Sequence, residues 1–367
     1  MIIELEKILI KAASKQLNFD ELDGIYPGHN GPYFDKETSV RNTSHWLIIF
    51  CCLYARTGEE KYRGAASKAI KFLSSQIARP MSASFHCRLK KEKDFCNGLM
   101  GQAWVIEALL YAYDILGDET LYLLAEDVFL MHDFDYDRAI WYRLGVDGSR
   151  LPFDNTFNHQ LWFAAVGSLL SKTPKALSMC DRFFEQVACK PTLYSCGVLF
   201  HNSPITSFQV EKTKGFKSIL DFCVSSMSNA KQRKSLFLKS AGYHGFNLYA
   251  YELLKQRYRE HSFYKSKIYD RMLRVVLTEN FKDALLKSNY SYAYNPPAFE
   301  NGFALLSNGF DSEIVNEMLV DHFKITKGPD GFNNRVSQDV HTSEARLYEL
   351  VRILEIENLK LIIDENQ

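Results

Sequence analysis

Two short stretches of the 367-residue chain combine acids, an imidazole and aromatic rings. One runs from Asp94 to Trp104, and the other runs from Asp154 to Trp162. Cleavage of a glycosidic bond needs a proton donor at the leaving oxygen and a second carboxylate as base or nucleophile. We therefore predict a catalytic set in which Asp154 is the general acid/base, Asp94 positions water or shares the proton of Asp154, and His159 is a third member. Epimerisation stays open as an alternative, because proton transfer at a sugar carbon uses the same residue types with His or Tyr added.

A structural role competes with each of these interpretations. Asp is a favoured N-cap of helices, and capping alone would account for Asp94 and Asp154. A hydrogen-bonded histidine of the core would account for His159 equally well. Gly98 and Gly101 lower the helix propensity by about 1 kcal/mol each relative to Ala. Close packing of helices would explain these two glycines as well as the approach of a ligand would.

Further polar and aromatic residues lie where apolar helical segments begin. Helix N-termini present unpaired backbone N–H groups and a partial positive field, which suit hydroxyl-rich or carboxylate-bearing ligands. Aromatic ring faces there would pack against the apolar C–H faces of a sugar. Glu300 and Glu344 are also predicted as reserve acids. The residues predicted to bind an oligosaccharide or polysaccharide substrate are Arg41, Asn42, His45, Asn97, Gln102, Trp104, Asn158, Trp162, His244, Glu300, His341 and Glu344.

A loose internal repeat predicts the elements that position these residues. Polar openings begin near residues 41, 97, 154, 242, 299 and 341. An apolar helix follows each opening, and in most copies a Gly- or Pro-marked turn and a second, amphipathic helix come next. In the first copy, Ala65, Ala69 and Phe72 have the spacing of one buried helix face. Intervals mostly of about 45–60 residues are typical of stacked helix pairs.

We predict an all-α fold, a closed ring of six helical hairpins or (α/α)6 barrel, whose openings converge at one end. The sixth opening lacks a following helix, and the N-terminal helix at 2–17 is predicted to pair with it and close the ring. An open solenoid of helix pairs is the alternative, which would offer a concave surface instead of a pit. No low-complexity linker divides the chain, so residues 1–367 are predicted to form one domain with a loop-rich insertion around 191–241.

The composition argues against several other classes of protein. Basic and acidic residues number 44 each, so no general attraction to nucleic acid or anionic membranes is expected. No apolar run approaches the roughly 18 residues that span a bilayer, and no membrane insertion is predicted. The eight cysteines form no CxxC pair, which favours free thiols and a cytoplasmic location. Motifs for nucleotides, zinc or a serine nucleophile are missing, so no metal and no cofactor are predicted. The oligomeric state stays open.

The repeat and two of its segments resemble the six-hairpin glycosidase superfamily. The segments are NGLMGQAWVIEALLYAYDILGDETLYLLAEDVF and the closing HTSEARLYEL. Within the superfamily, the chain resembles the unsaturated glucuronyl and rhamnogalacturonyl hydrolases, which use two aspartates at successive inner-helix openings. Asp94 and Asp154, 60 residues apart, resemble that pair. The chain also resembles the helical domain of glucuronyl C5-epimerases, which has a comparable Gly-Gln-rich helix followed by a Gly-Asp turn.

A third resemblance is to uncharacterised proteins encoded in surface-polysaccharide and archaeal N-glycan assembly clusters. Three blocks carry it: GPYFDKETSVRNTSHWL, KDFCNGLMGQAWVIEAL and DNTFNHQLWFAA. Together the resemblances imply a glycoside hydrolase that acts on a uronic-acid-containing or surface polysaccharide or glycan during its synthesis. The alternatives are a sugar isomerase or uronyl C5-epimerase, and a non-catalytic protein that binds glycans.

Overall fold

The computed structural model describes residues 2–201, 230–326 and 334–362. Its α-helices are α1 (Leu5–Ser14), α2 (Val40–Thr57), α3 (Glu60–Leu73), α4 (Gly98–Leu116), α5 (Glu119–Leu130), α6 (Phe157–Ser168), α7 (Pro174–Phe183), α8 (Ala230–Gly242), α9 (His244–Tyr258), α10 (Lys267–Arg274), α11 (Glu279–Leu286), α12 (Pro297–Ser307), α13 (Ser312–Thr326), α14 (Val340–Ala345) and α15 (Glu349–Ile356). Its short strands are β1 (Ile2–Glu4), β2 (Phe134–Asp135), β3 (Ile140–Leu144), β4 (Arg150–Phe153) and β5 (Lys360–Ile362).

The inner layer of the fold consists of helices that are largely buried. In α4, each residue from Gly98 to Ala112 is buried, and a helix that is apolar all round must lie inside the protein. Helices α2, α4, α6, α9, α12 and α15 pack against one another in chain order. The last of them, with the 3₁₀ turn Arg346–Tyr348 before it, packs back onto α2. The ring is therefore closed, and the predicted (α/α)6 barrel is confirmed.

The outer layer consists of amphipathic helices. Helices α3, α5, α7 and α13 each pack against the inner helix that precedes them. In α3, the buried face includes Ala65, Ala69 and Phe72, as the spacing predicts. Helix α1 packs against α2 and α15, so the N-terminal segment closes the ring in the predicted way. Its first residues form a strand instead of a helical turn, because β1 pairs antiparallel with β5.

Left-handed glycines end two of the inner helices. Gly58 and Gly117 have φ angles of 68° and 70°, and their N–H groups donate to the carbonyls of Tyr54 and Tyr113. This C-terminal motif satisfies carbonyls that the helix leaves unpaired, and glycine adopts it without strain. The chain then reverses directly into the outer helix, so the two predicted turns lie where the sequence indicates.

Two features differ from the predicted all-α pattern. A three-stranded antiparallel sheet, β2–β3–β4, lies between α5 and α6, and the chain ends form a second, two-stranded sheet. The larger sheet escaped prediction because its strands have only two to five residues, too few for a clear periodic signal. Most of the predicted insertion around 191–241 lies outside the described residues, which leave out 202–229. In the ranges that are described, no helix is long and apolar enough to cross a membrane.

Candidate active site

A polar cavity of about 530 Å³ opens where the inner helices α4 and α6 begin. This volume lies in the range of small-molecule binding sites. The loop before α2, the start of α4, the start of α6 and the end of α8 contribute side chains, with further residues from the segment before α12. The lining residues are Asn30, Tyr33, Asp35, Arg88, Lys93, Asn97, Met100, Trp104, Asn155, Thr156, Asn158, His159, His201, Lys239, Tyr243, Phe246, Tyr294 and Asn295.

The cavity brings together some of the residues that the sequence singles out. Asn97, Trp104, Asn158 and His159 line it. They belong to two consecutive inner helices, α4 and α6, which lie side by side in the ring. These residues meet in the cavity wall because helices α4 and α6 both begin at the same end of the ring.

A hydrogen-bonded pair of Asp154 and His159 forms one side of the cavity. Asp154 Oδ2 accepts from His159 Nδ1 at 2.9 Å and from the backbone N–H of Leu99 at 3.0 Å, while Oδ1 accepts from the N–H of Thr156 at 3.1 Å. Burial by itself would raise the pKa of Asp154, but the attraction of His159 and these hydrogen bonds outweigh it and lower the pKa to about 2. Asp154 is therefore ionised at neutral pH.

The state of Asp154 decides the tautomer of His159. An ionised carboxylate can only accept hydrogen bonds, so His159 Nδ1 carries the proton that it shares with Asp154. In the neutral ring, Nε2 is then an acceptor with a free electron pair. The side chain of His159 is about one-quarter exposed and lines the cavity, whereas that of Asp154 is almost fully buried. The pair therefore has the geometry of a base that a buried carboxylate orients.

Asp94 occupies the neighbouring place at the start of α4. Its Oδ1 accepts a hydrogen bond from the N–H of Gly98 at 2.9 Å. The next residue along the chain, Leu99, donates its N–H to Asp154. Arg88 and Arg143 pair with its two oxygens at 2.9 and 2.6 Å. Burial would raise the pKa of Asp94, but Arg88 and the other donors lower it below its usual value. The two predicted acids thus bond adjacent backbone groups, and both are held ionised.

Gly98 lies directly beneath the Asp154–His159 pair. Its φ is +58°, and a Cβ at this position would overlap Asp154 Oδ2 and approach His159 Nδ1 to 3.1 Å. Gly98→Ala is therefore expected to displace the pair and lower kcat/KM by about a hundredfold, the cost of a misplacement near 1 Å. Activity and the imidazole ¹⁵N chemical shifts of His159 would measure this effect.

Gly117→Ala is the matched control for that substitution. Gly117 has a φ of +70°, but a Cβ added there would meet no atom within 4 Å, so the change strains the backbone without displacing a neighbour. We expect it to cost roughly 1–2 kcal/mol of stability and to leave activity unchanged. Equal activity of the two variants would contradict the prediction that a side chain at position 98 displaces Asp154 and His159.

Three predicted substrate-binding residues are instead buried parts of the framework. Gln102 bonds both backbone groups of Phe85, accepting at 2.7 Å and donating at 3.2 Å. Trp162 Nε1 donates to the carbonyl of Phe246 at 3.0 Å. His244 accepts from a backbone N–H at 3.1 Å and contacts a carbonyl with its other nitrogen at 2.9 Å, and burial lowers its pKa to about 4. Their polar atoms serve the backbone of neighbouring segments, so a substrate role for them is not supported.

Four other predicted residues are buried and do not line the cavity. The guanidinium of Arg41 lies 4.1 Å from the ring centroid of Trp104 and bonds Asn30 at 3.3 Å, and both of these partners line the cavity. The ring of His45 stacks on Tyr348 with centroids 4.2 Å apart. Asn42 donates to a backbone carbonyl at 2.7 Å, and Glu300 is paired with a buried arginine. Of these residues, Arg41 and His45 contact the ring of Trp104, which lines the cavity.

The two remaining predicted residues, His341 and Glu344, lie outside the cavity. His341 is exposed and packs on the ring of Tyr26, with centroids 4.6 Å apart. Glu344 lines a separate, smaller pocket beside Arg346. The opening predicted near residue 341 therefore does not line the cavity. His341 and Glu344 lie on the short helix α14, which a 3₁₀ turn separates from the inner helix α15.

Several lining residues were not predicted from the sequence, because they lie in loops or on α8. Asn30 and the flanking Phe34 have φ angles of 60° and 49°, and this strained turn directs Tyr33 and Asp35 to the cavity. Non-glycine residues with positive φ leave no periodic signal in a sequence. The polar and aromatic density of the block GPYFDK was the available signal.

A second imidazole, that of His201, lines the cavity together with tyrosines. Burial lowers the pKa of His201 to about 3, and repulsion by Lys239 and His159 adds to this effect. His201 is therefore neutral, and its ring packs on Tyr243 with centroids 4.6 Å apart. The hydroxyls of Tyr33 and Tyr243 lie 2.7 Å apart, so one donates to the other. In the described part of the chain, no group of three or more His, Cys, Asp or Glu residues could hold a metal ion.

Comparisons with known proteins agree on the fold. No family model matches the sequence. The structure is similar to an inactive variant of an α-1,6-mannanase of Salegentibacter sp. HEL1_6 in complex with α-1,6-mannotriose, with a TM-score of 0.58 and 10% identity, covering 96% of this chain and 100% of that one. D-mannose isomerase (TM-score 0.58, 12% identity, 96% and 97% coverage) and the cellobiose 2-epimerase of Spirochaeta thermophila (TM-score 0.57, 15% identity, 96% and 97% coverage) are similar in the same way. All three belong to the six-hairpin glycosidase superfamily.

The closed ring with its cavity at the inner-helix openings thus defines the class: the chain has the fold of the six-hairpin glycosidase superfamily, as its sequence predicts. A more specific relative is the archaeal glycosylation protein Q of Haloferax volcanii, with 37% identity over 360 residues that cover 95% of this chain and 97% of the relative. The chain belongs to the family of archaeal glycosylation protein Q.

Proposed function

We propose that this protein is a carbohydrate-active enzyme that isomerises or epimerises a sugar of a glycan during its assembly. The observation that carries this proposal is the pair of Asp154 and His159, in which a buried, ionised carboxylate orients an imidazole that lines the cavity. The name of the relative, a glycosylation protein, supports a glycan as the setting. Two solved structures of the same fold are a sugar isomerase and a sugar epimerase, which supports the class of reaction.

In the proposed reaction, Nε2 of His159 removes a proton from a sugar carbon next to a carbonyl or carboxyl group. The electron pair of the broken C–H bond moves onto the neighbouring oxygen and forms an enolate. The negative charge of Asp154 stabilises the imidazolium that results. Return of the proton from the His159 imidazolium to the adjacent carbon, with the hydroxyl proton of that adjacent pair passing to the enolate oxygen, gives an isomer. An epimer forms when a water molecule gives a proton to the other face of the same carbon and the imidazolium proton neutralises the hydroxide left behind.

Neutral donors beside the cavity would stabilise the enolate oxygen. His201 is neutral, and a neutral imidazole can polarise a carbonyl by donating a hydrogen bond. The tyrosine pair, Tyr33 and Tyr243, keeps one hydroxyl hydrogen that is not used between the two rings. Burial raises the pKa of both tyrosines, so both hydroxyls stay protonated. We propose an oligosaccharide with a uronic-acid residue as the substrate, in line with the sequence resemblance.

Hydrolysis is the second candidate, and one observation favours it. Asp94 and Asp154 accept from the adjacent N–H groups of Gly98 and Leu99, so the two predicted acids are neighbours, as hydrolysis requires. In this case His159 would activate a water molecule. The low pKa of both carboxyls favours the first candidate, because neither acid holds a proton for a leaving oxygen at neutral pH. A protein that binds a glycan without reaction is the third possibility.

Incubation in heavy water tests the three alternatives. The protein would be mixed with mannose, glucose, glucuronate and lipid-free N-glycan oligosaccharides, and NMR would follow deuterium on the sugar carbons while a colour assay follows new reducing ends. We expect deuterium on a carbon without new reducing ends, and we expect no deuterium with His159→Asn. New reducing ends without deuterium would support hydrolysis. Binding without either product would overturn catalysis.

A further inference from the structure

Lys239 is a cation of the cavity wall that is surrounded by aromatic rings. It lies near the end of α8, and its Nζ is 5.5 Å from the ring centroid of Tyr33, 5.9 Å from that of Tyr243 and 5.2 Å from that of Tyr290. The ring faces attract the ammonium group, but they do not neutralise its charge. In the described ranges of the chain, no carboxylate lies within ion-pair distance of Lys239, in contrast to Lys93 on the same wall, which pairs with Asp35.

The surroundings of Lys239 do not supply the missing negative charge. Four further cations beside the cavity share only two carboxylates, those of Asp35 and Asp94. Burial lowers the pKa of Lys239, and no ion pair among the described residues offsets this effect. This side of the cavity therefore has an excess of positive charge. The four cations are Arg88, Lys90, Lys93 and Arg143.

Neutral hydrogen-bond donors lie next to the same ammonium group. Tyr33 and Tyr243 both contact Lys239 through their rings, and their paired hydroxyls leave one hydrogen free for a ligand. His201 packs on Tyr243, and its Nδ1 is buried without a hydrogen-bond partner among the described residues. A cation with several neutral donors is the chemistry that binds a carboxylate or a phosphate.

We infer that Lys239, with Tyr33, Tyr243 and His201, forms a subsite for an anionic group of the substrate, a sugar carboxylate or a phosphate. His159 lies in the same cavity and interacts electrostatically with His201. For a sugar carboxylate, the group held at Lys239 is the one on which the enolate forms, so the same donors serve the bound acid and the enolate. A phosphate held there would instead fix which end of the sugar faces the base. This inference takes one point from the proposed function, namely that the cavity binds a sugar.

Binding measurements with three small probes test the subsite without relying on turnover. Isothermal titration would compare glucuronate, glucose and inorganic phosphate on the full chain. We expect the wild-type protein to bind at least one of the two anions more tightly than glucose. Lys239→Gln is expected to weaken binding of that anion by about tenfold to a hundredfold, the loss of a charged hydrogen bond, and to change glucose binding less than about twofold. Lys239→Arg is expected to keep most of the affinity.

Lys234→Gln is the matched control, because Lys234 is an exposed lysine on the same helix. Glucuronate binding would identify a sugar carboxylate as the ligand group, and phosphate binding alone would identify a phosphate. Failure of both anions to bind, or equal weakening by Lys239→Gln and Lys234→Gln, would overturn the subsite. His159→Asn is expected to abolish deuterium exchange and to keep anion binding. Failure of the wild-type protein to exchange deuterium would overturn the proposed reaction but not the subsite, because anion binding is measured without turnover.

Discussion

Replacement of Asp154 by Asn is expected to lower kcat of the proposed reaction by about 10²–10⁴-fold, the range for loss of an effective general base. The carboxylate accepts from His159 Nδ1 at 2.9 Å. An Asn amide can instead donate to Nδ1, which would move the ring proton to Nε2. Nε2, the proposed base, would then be a donor and could no longer remove a proton from carbon. Steady-state kinetics and the ¹⁵N shifts of the imidazole would measure both effects.

Asp283→Asn serves as the control for the change in charge, because Asp283 is exposed and pairs with Lys287 one helical turn away. It is expected to leave kcat and the tautomer of His159 unchanged. Asp154→Asn also removes a stabilising charge. Since the pKa of Asp154 is lowered in the folded protein to about 2, its contribution is present above the unfolded value near 3.8 and is lost as the pH falls through 2. Normal kcat in a folded Asp154→Asn protein with an altered tautomer would contradict the role of His159 as base.

Replacement of Arg346 by Met is expected to destabilise the protein by about 3–5 kcal/mol, the typical cost of leaving buried charges without a partner. Arg346 is almost fully buried and donates to Glu300, Glu349 and Asn295. The two carboxyls lie on inner helices, α12 and α15, and their burial and mutual repulsion already raise the pKa of Glu300 well above its usual value. Unfolding in urea, followed by circular dichroism, would measure the loss.

The pH dependence of this loss has a definite sign. Burial also raises the pKa of Glu349, and removal of Arg346 would raise the pKa of both carboxyls further. A raised folded-state pKa gives stability that is present below the unfolded value near 4.5 and is lost as the pH rises. The destabilisation by Arg346→Met should therefore be larger at pH 8 than at pH 5. Addition of Glu300→Gln and Glu349→Gln should recover much of it, since neither carboxylate charge would remain.

Arg274→Met is the control for removal of an arginine. Arg274 is about two-thirds exposed and pairs with Asp270 on the same helix, and an exposed pair contributes roughly 0–1 kcal/mol. If Arg346→Met lowered the free energy of unfolding by less than about 1 kcal/mol, and equally at both pH values, the charge of Arg346 would not be needed to stabilise the buried Glu300 and Glu349. This test is independent of the substrate, so it examines the framework of the site separately from its chemistry.

The local pattern of the sequence was sufficient to predict the hairpins and the end of the ring at which the candidate site lies. Helix periodicity, as in Ala65, Ala69 and Phe72, depends on residues three and four apart, and glycines such as Gly58 and Gly117 end helices through local backbone geometry. Apolar inner helices alternate with amphipathic outer helices, and this alternation orders the layers. The polar openings of α4 and α6 then lie together, so His159 and Asp154 could be singled out from the sequence.

Only the tertiary structure decided which polar side chains face the cavity and in what state. Gln102 and His244 look like ligand-binding residues in the sequence, yet backbone groups from distant segments satisfy them. Lys239 gave no signal, because its importance depends on tyrosines that are far away in the chain. The same holds for Asp154, because the neighbours that lower its pKa, His159 and the backbone of Leu99, are brought to it by the fold. Burial, hydrogen bonding and charge depend on distances across the ring, and the order of residues does not contain those distances.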